Sequence, residues 1–311
     1  MKNPKKNPDE FMEPLVINGL HGRVLRIPAT KKKAKKEILV LYGHHSSLER
    51  MFGIVEDLAQ YGNITMPDLP GFGGMDSYYK IGEKPTLDNL ADYLATFIKL
   101  NYGKKRISIA GMSFGFVVTA RMLQKYPEIV AQVDDVISIV GFTHKDDFKI
   151  KKKTYLLFRW LGSLCSTYLM SSFAKYVVLR GPIIRAAYKS VADKHVKMKD
   201  ADEDERNKRI NFEIYLWKCN DIRTYMDTTV TMMTLDITAQ KVDLPVMHIS
   251  VSADQYFDAS RVKAHLKMIF KKVDVHKAKL ANHAPTVIGD AETAKVFIPK
   301  SIRRELAKAS K

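Results

Sequence analysis

Two hydrophobic periods alternate along the chain. LVINGLHGRVLRIP, beginning at Leu15, and EILVLYG, beginning at Glu37, are aliphatic, β-branched runs that predict strands, with the lysine-rich stretch ATKKKAKKE between them. Over 48–61 the spacing becomes helical, with Met51, Ile54, Val55 and Leu58 on one face. A short strand, NITMP, follows. A helix over 87–100 then places Leu90, Tyr93, Leu94 and Ile98 on one face, and the strand RISIA comes next. A helix over 114–125 stops before Pro127, and VDDVISIVG reads as another central strand. LPVMHISVS, a helix over 259–269, a strand near VDVHKAKL and a helix over 291–298 continue the rhythm.

This alternation predicts an α/β fold, a mostly parallel sheet with helices on both faces. It is interrupted once. Across 148–236 no strand signal occurs, and aromatic, Leu and Met residues are interleaved with charge. The predicted layout is a polar tail over 1–10, a first core part over 11–147, a helical cap insertion over 148–236 and a second core part over 237–311.

Composition supports a folded chain. Among 311 residues, 46% are hydrophobic and 27% charged, which supplies a core and excludes global disorder. The net charge of +17 brings anionic partners into consideration. Its densest run, residues 31–36, reads as a solvated hairpin loop; a lipid- or RNA-binding patch is the other reading, and no RNA-binding signature accompanies it. Weak contact with an anionic membrane surface is therefore expected as a partner, and specific nucleic acid is not. Two cysteines without metal-ligand spacing indicate reduced thiols, and the start lacks the apolar core of a secretory signal, so a cytoplasmic location is expected. The longest apolar stretch, TYLLFRWLGSLCSTYLMSSFAKYVV, contains Arg159 and Lys175; it predicts a buried or lid helix pair rather than a membrane span.

The candidate chemistry centres on SIAGMSFGFVV. Gly111, Ser113 and Gly115 form G-x-S-x-G at a strand-to-helix junction, where glycines permit a tight turn that lifts the serine hydroxyl out of the sheet. Because the next residue opens a helix, the backbone N–H of Phe114 is available to an oxyanion. A serine nucleophile needs a base, itself oriented by a third group. Asp254, in VSADQYFD, and His283, in LANHAPT, each follow a predicted strand and fall on the same sheet edge as Ser113. Asp258 is an alternative acid, as are Asp146 and Asp147 after the preceding strand. His44 and His45 have no carboxylate at a metal-ligand spacing, so no metal and no organic cofactor is implied. The aromatic residues of the insertion, Phe158, Trp160, Tyr168, Phe173 and Trp217 among them, either pack within it and on the sheet or line an apolar acyl pocket.

At these residues the chain resembles a cap-bearing α/β-hydrolase, from about Leu15 to Ile298 apart from the cap. The order Ser, Asp, His is that of the family. LYGHHSS is similar to the family's strand ending in His-Gly-x, which implies that His44 donates the second oxyanion N–H. MPDLPGFGG, residues 66–74, resembles the D-x-P-G-x-G loop, LQKYPEIV the end of the nucleophile helix, and LPVMHISVSAD the strand leading to the acid. The departures are Tyr42 for His, His45 for Pro, Val251 for Gly, and Phe116 where a further glycine is common. The resemblance implies a serine hydrolase acting on an acyl compound, most simply a carboxylic ester with an apolar moiety, through Ser113, His283 and Asp254. A C–C bond hydrolase, aminopeptidase, thioesterase or acyltransferase of the same fold, or a non-catalytic lipid- or partner-binding module, are the alternatives.

Overall fold

A computed structural model of the protein describes residues 6–191, 202–251, 254–278 and 294–308. Strands β1 (Met12–Ile17) and β2 (Leu20–Ile27) form an antiparallel hairpin. Its two-residue turn places Asn18 and Gly19 at positive φ, 52° and 76°, the pairing that an Asn-Gly turn favours. β3 (Lys36–Leu41), β4 (Gly62–Pro67), β5 (Ile107–Met112), β6 (Val133–Ile139), β7 (Val242–Val251) and β8 (Phe270–Ala278) complete one sheet in the order β1-β2-β4-β3-β5-β6-β7-β8. β2 pairs antiparallel with β4, and every pairing from β4 to β8 is parallel. The central strands are buried on both faces, as parallel strands covered by helices must be: all six residues of β5 are buried.

This order corrects the reading of the lysine run. β2 and β3 are not neighbours, because β4 lies between them, so residues 28–35 form a crossing connection and no hairpin loop. Nor is the whole run solvated. Lys36 begins β3, is buried, and holds Asp135 Oδ2 of β6 at 2.7 Å, where Ser108 also donates.

Helices α1 (Leu48–Leu58), α2 (Leu87–Tyr102), α3 (Phe114–Lys125), the short α4 (Pro127–Val130) and α10 (Ala259–Ile269) pack on the sheet. Of the helix expected over 291–298, residues 291–293 lie outside the described part, 294 is helical, 295–297 are turn and 298 is a bend. The described C-terminal helix is α11 (Lys300–Leu306), whose Arg303 grips Asp57 of α1 with two hydrogen bonds of 3.0 and 2.6 Å.

Between β6 and β7 come α5 (Lys152–Cys165), α6 (Tyr168–Phe173), a π-helical turn (Ala174–Val178), α7 (Gly181–Val191), α8 (Glu203–Cys219) and α9 (Ile222–Thr234). The N-terminus of α9 is wedged against the 68–74 loop. Gly71, at φ 82°, leaves no room for a side chain because Thr224 Oγ1 stands 2.5 Å from the place of its Cβ, and Asn220 accepts the Gly73 N–H at 2.8 Å. α5 packs mainly on α9, with Val230 against Gly162, and also meets α6, while Tyr155 reaches the main core. These contacts leave one side of the helix uncovered, so Leu157, Phe158, Trp160 and Leu161 face solvent, as do Tyr168, Leu169 and Phe173. Of the expected buried or lid helix pair, the buried form is corrected accordingly. Among the aromatics named from the sequence, Trp217 does pack inward, on His45 and Tyr225.

Candidate active site

Ser113 lies directly after β5 and before α3, with φ 49° and ψ −117°. A residue with a side chain avoids this backbone region, and the cost is met by the surrounding packing. The Ser113 N–H donates to Ile139 O at 2.9 Å, and the next strand end is tied likewise by Val140 N–H to Ile249 O at 2.9 Å. The ends of β5, β6 and β7 are thus cross-linked beneath the turn.

Three glycines make the elbow fit. A Cβ on Gly111 would stand 2.6 Å from Phe116 Cα, and one on Gly115 would stand 2.3 Å from Tyr42 O. The place of a Cβ on Gly43 is 3.1 Å from Ser113 Cβ and 3.8 Å from its Oγ, so the loop after β3 runs beside the serine. Phe116, which replaces a small residue of the motif, is fully buried. The space comes from Gly141 at the end of β6, where a Cβ would stand 2.4 Å from the Phe116 ring. Phe114 is the first residue of α3, so its N–H has no acceptor within the helix.

Tyr42 takes over the anchoring of this loop. Its buried hydroxyl donates to Asp68 Oδ1 at 3.0 Å and accepts from the Leu69 N–H at 2.8 Å. Arg23 Nε donates to Asp68 Oδ2 at 3.0 Å, and its Nη1 to Glu49 Oε1 at 2.6 Å. Burial pushes the Asp68 carboxyl up to about 8 against the opposing pull of Arg23 and Tyr42. Glu49 is also desolvated, yet Arg23 holds it below the ordinary carboxylate range.

The His44 ring stacks on Tyr225 of α9, with centroids 4.3 Å apart, and meets Phe72 and Phe114 edge-on. Its Nε2 lies 3.2 Å from Tyr225 O and 2.9 Å from Thr228 Oγ1. A carbonyl only accepts, so Nε2 carries the proton. Burial, with His45 adding to it, lowers the His44 pKa to about 3, which leaves the ring neutral. His45, at φ 52°, stacks on Trp217, and its Nε2 is 3.3 Å from Glu213 Oε2. Glu213 of α8 also accepts from Arg50 Nη2 at 2.6 Å, while Arg50 Nη1 donates to His45 O at 3.0 Å. Neither this buried ion network nor the Arg23–Asp68–Tyr42 cluster is predicted by the sequence. Only the departure at Tyr42 signals the second.

Asp254 stands just past β7, where Oδ1 accepts the N–H groups of Tyr256 (2.8 Å) and Phe257 (3.1 Å). Beside it, a small cavity is lined by Val140, Gly141 and His248, among others. His248 is buried, with Nδ1 2.9 Å from Ser138 Oγ; burial lowers its pKa to about 4, although Asp254 pulls it upward. The alternative acids are otherwise engaged. Asp258 is the half-buried N-cap of α10, accepting from the Ser260 and Arg261 N–H groups. Asp146 is exposed. Asp147 is buried, with Oδ1 2.6 Å from His265 Nδ1 and Oδ2 accepting from the N–H groups of Thr143 and His144. The fold therefore brings Gly43, His44 and Phe114 around Ser113 and sets Asp254 two strands away on the same sheet edge. His283 lies outside the described residues. Among the described residues no group of three or more His, Cys, Asp or Glu side chains could hold a metal ion.

Residues 32–284 match the family described as "Serine aminopeptidase, S33". No curated protein sequence matches the chain. Among solved structures it is similar to a hydrolase from Pseudomonas aeruginosa PA01, at 11% identity and a TM-score of 0.67, over 96% of this chain and 98% of that one. It is similar also to the enol-lactonase from Burkholderia xenovorans LB400, at 12% identity and a TM-score of 0.63, over 95% and 100% of the two chains. A carboxylesterase of the thaumarchaeon Nitrososphaera gargenis matches at 15% identity and a TM-score of 0.60, over 95% and 96%. At these identities the likeness is one of fold.

Proposed function

Since the chain belongs to the serine aminopeptidase (S33) family of α/β-hydrolases, we propose that it is a serine hydrolase whose nucleophile is Ser113 and whose substrate is a carboxylic ester with an apolar moiety. The observation that carries this reading is the strained Ser113 backbone, φ 49°, at the β5–α3 turn with Gly43 packed beside its side chain. Strain of this kind persists where a function uses it.

In the proposed mechanism the Ser113 hydroxyl attacks the acyl carbonyl while His283 accepts its proton. The N–H groups of Phe114 and His44 hold the oxygen that becomes negative, and Asp254 orients and stabilises the imidazolium. His283 returns the proton to the leaving alcohol, and water, deprotonated by the same histidine, hydrolyses the acyl-enzyme. The neutral, buried His44 ring supports this division of labour, because it takes no proton near neutrality and its part is to fix its own backbone. The helices over 148–236 serve as the cap, and Tyr225 and Thr228 of α9, which hold His44, join it to the oxyanion loop.

The test is hydrolysis of p-nitrophenyl esters of increasing acyl length by the purified protein and by Ser113→Ala. The expected result is turnover that vanishes in the variant and rises with pH through the ordinary imidazole range, about 6.5. An equal rate in both proteins overturns the assignment of Ser113, and hydrolysis of aminoacyl anilides in place of esters overturns the ester.

A further inference from the structure

We propose that the outer face of α5 and α6 docks on an anionic lipid bilayer. The first observation is exposure. Trp160, Tyr168 and Leu169 are 63%, 76% and 75% exposed, and Leu157, Leu164 and Tyr176 are open as well. They lie within one short run of chain, α5, α6 and the π-helical turn after them, and α9 covers only the opposite side of α5. Isolated apolar side chains on a surface are ordinary, but a run of this density marks a binding face.

The second observation, charge, identifies the occupant. Residues 148–191 contain nine Lys and Arg, at 149, 151, 152, 153, 159, 175, 180, 185 and 189, and no Asp or Glu. A second copy of the chain would bring the same charge against this face, so self-association through it is opposed by repulsion. An anionic bilayer is complementary twice over: acyl chains receive Trp, Leu and Tyr, and headgroups receive Lys and Arg, whose long stems let the charge reach the headgroup layer. Trp160 and Tyr168 are the residue types that lodge at the boundary between chains and headgroups. Among the described residues no helix is long and apolar enough to cross a membrane, and the short α5 and α6 fit a mode that lies on the surface. This docking does not depend on Ser113 or on the reaction proposed for it.

The test is flotation of the full chain with vesicles of phosphatidylcholine alone and of phosphatidylcholine with phosphatidylglycerol. The wild type is expected to float with the anionic vesicles, and added salt should weaken this binding. The double variant Trp160→Ser, Leu169→Ser removes two exposed side chains that the fold does not use, and should reduce partitioning by about tenfold or more. Lys151→Gln with Lys153→Gln and Arg159→Gln should abolish the preference for anionic lipid. Ser113→Ala should float as the wild type does, which separates failure of the docking from failure of the hydrolase reading. Quenching of Trp160 fluorescence by lipids brominated on the acyl chain, absent in Trp160→Phe, would place the face in the bilayer. The proposal is overturned if the wild type stays in solution, or if the Trp160, Leu169 variant floats undiminished, which would move binding to another basic surface. A concentration-dependent dimer that the same variant abolishes, without vesicle binding, would overturn it in favour of a second copy.

Discussion

Glu213 of α8 accepts a hydrogen bond of 2.6 Å from Arg50 of α1, both side chains are buried, and 163 residues separate them in the chain. The pair clamps the helices inserted between β6 and β7 to the loop that follows β3, because Arg50 also binds His45 O and Glu213 also meets the His45 ring. A buried pair adds little over well-packed apolar residues, but breaking it strands a charge. Glu213→Ala should therefore destabilise the protein by about 3–5 kcal/mol. Replacing both partners together, Glu213→Leu with Arg50→Met, should cost less than Glu213→Ala alone. Urea unfolding of the three proteins measures this, and a double variant at least as unstable as the single would contradict the stranded-charge account.

Phe116 and Gly141 share one space. A methyl group at residue 141 would meet the Phe116 ring and Ser138 Oγ, both at 2.4 Å. Gly141→Ala should cost about 1–3 kcal/mol through overpacking. Phe116→Leu alone should also destabilise, by leaving a void. The two changes together should cost less than their sum, since the smaller side chain admits the methyl. Strict additivity in a thermal or urea series would show that the two residues do not compete.

Local signals in the sequence are those that need only a few consecutive residues. The strand, G-x-S-x-G and helix around Ser113 form one such signal, and β5 and α3 fall on either side of the serine as expected. The run LVINGLHGRVLRIP, by contrast, reads as one strand, and the Asn18-Gly19 turn divides it into β1 and β2. What the sequence withholds depends on partners far away in the chain. The lysine run reads as a hairpin loop because β2 and β3 are consecutive, and nothing local says that β4 inserts between them. The apolar stretch of α5 and α6 reads as a buried or lid helix pair because hydrophobicity alone does not say which faces neighbours will cover.

The Tyr42 hydroxyl sits between Asp68 Oδ1 and the Leu69 N–H, and it is buried. Tyr42→Phe leaves both of those groups without this partner, at a cost of about 1–3 kcal/mol. It also frees the stem of the loop that carries Gly43 and His44. Under the proposed roles of Ser113 as nucleophile and the His44 N–H as oxyanion donor, kcat should fall while KM stays nearly constant, because the donor acts where charge develops. Steady-state kinetics on the best ester checks this split. A raised KM at unchanged kcat would place Tyr42 in substrate binding instead.

His248 makes stability depend on pH with a definite sign. In the unfolded chain its imidazole titrates at its ordinary 6.5. In the fold, burial lowers it to about 4, while Asp254 pulls it upward and His276 pulls it down. Between these values the unfolded state binds the proton and the native state does not, so unfolding becomes more favourable as pH falls. The His248 contribution is thus intact above 6.5, declines by roughly 1.4 kcal/mol per pH unit inside the window, and levels off below about 4. His44, lowered to about 3, acts in the same direction, whereas Asp68, raised to about 8, acts in the opposite one, so the wild-type slope is a sum. His248→Asn isolates one member. It keeps a polar partner for Ser138 and removes the titration. Urea unfolding across the window from about 4 to 6.5 should show a slope lower by close to one proton in the variant. An unchanged slope would mean that His248 is already protonated in the native state, and hence that Asp254 holds its charge more strongly than burial opposes it.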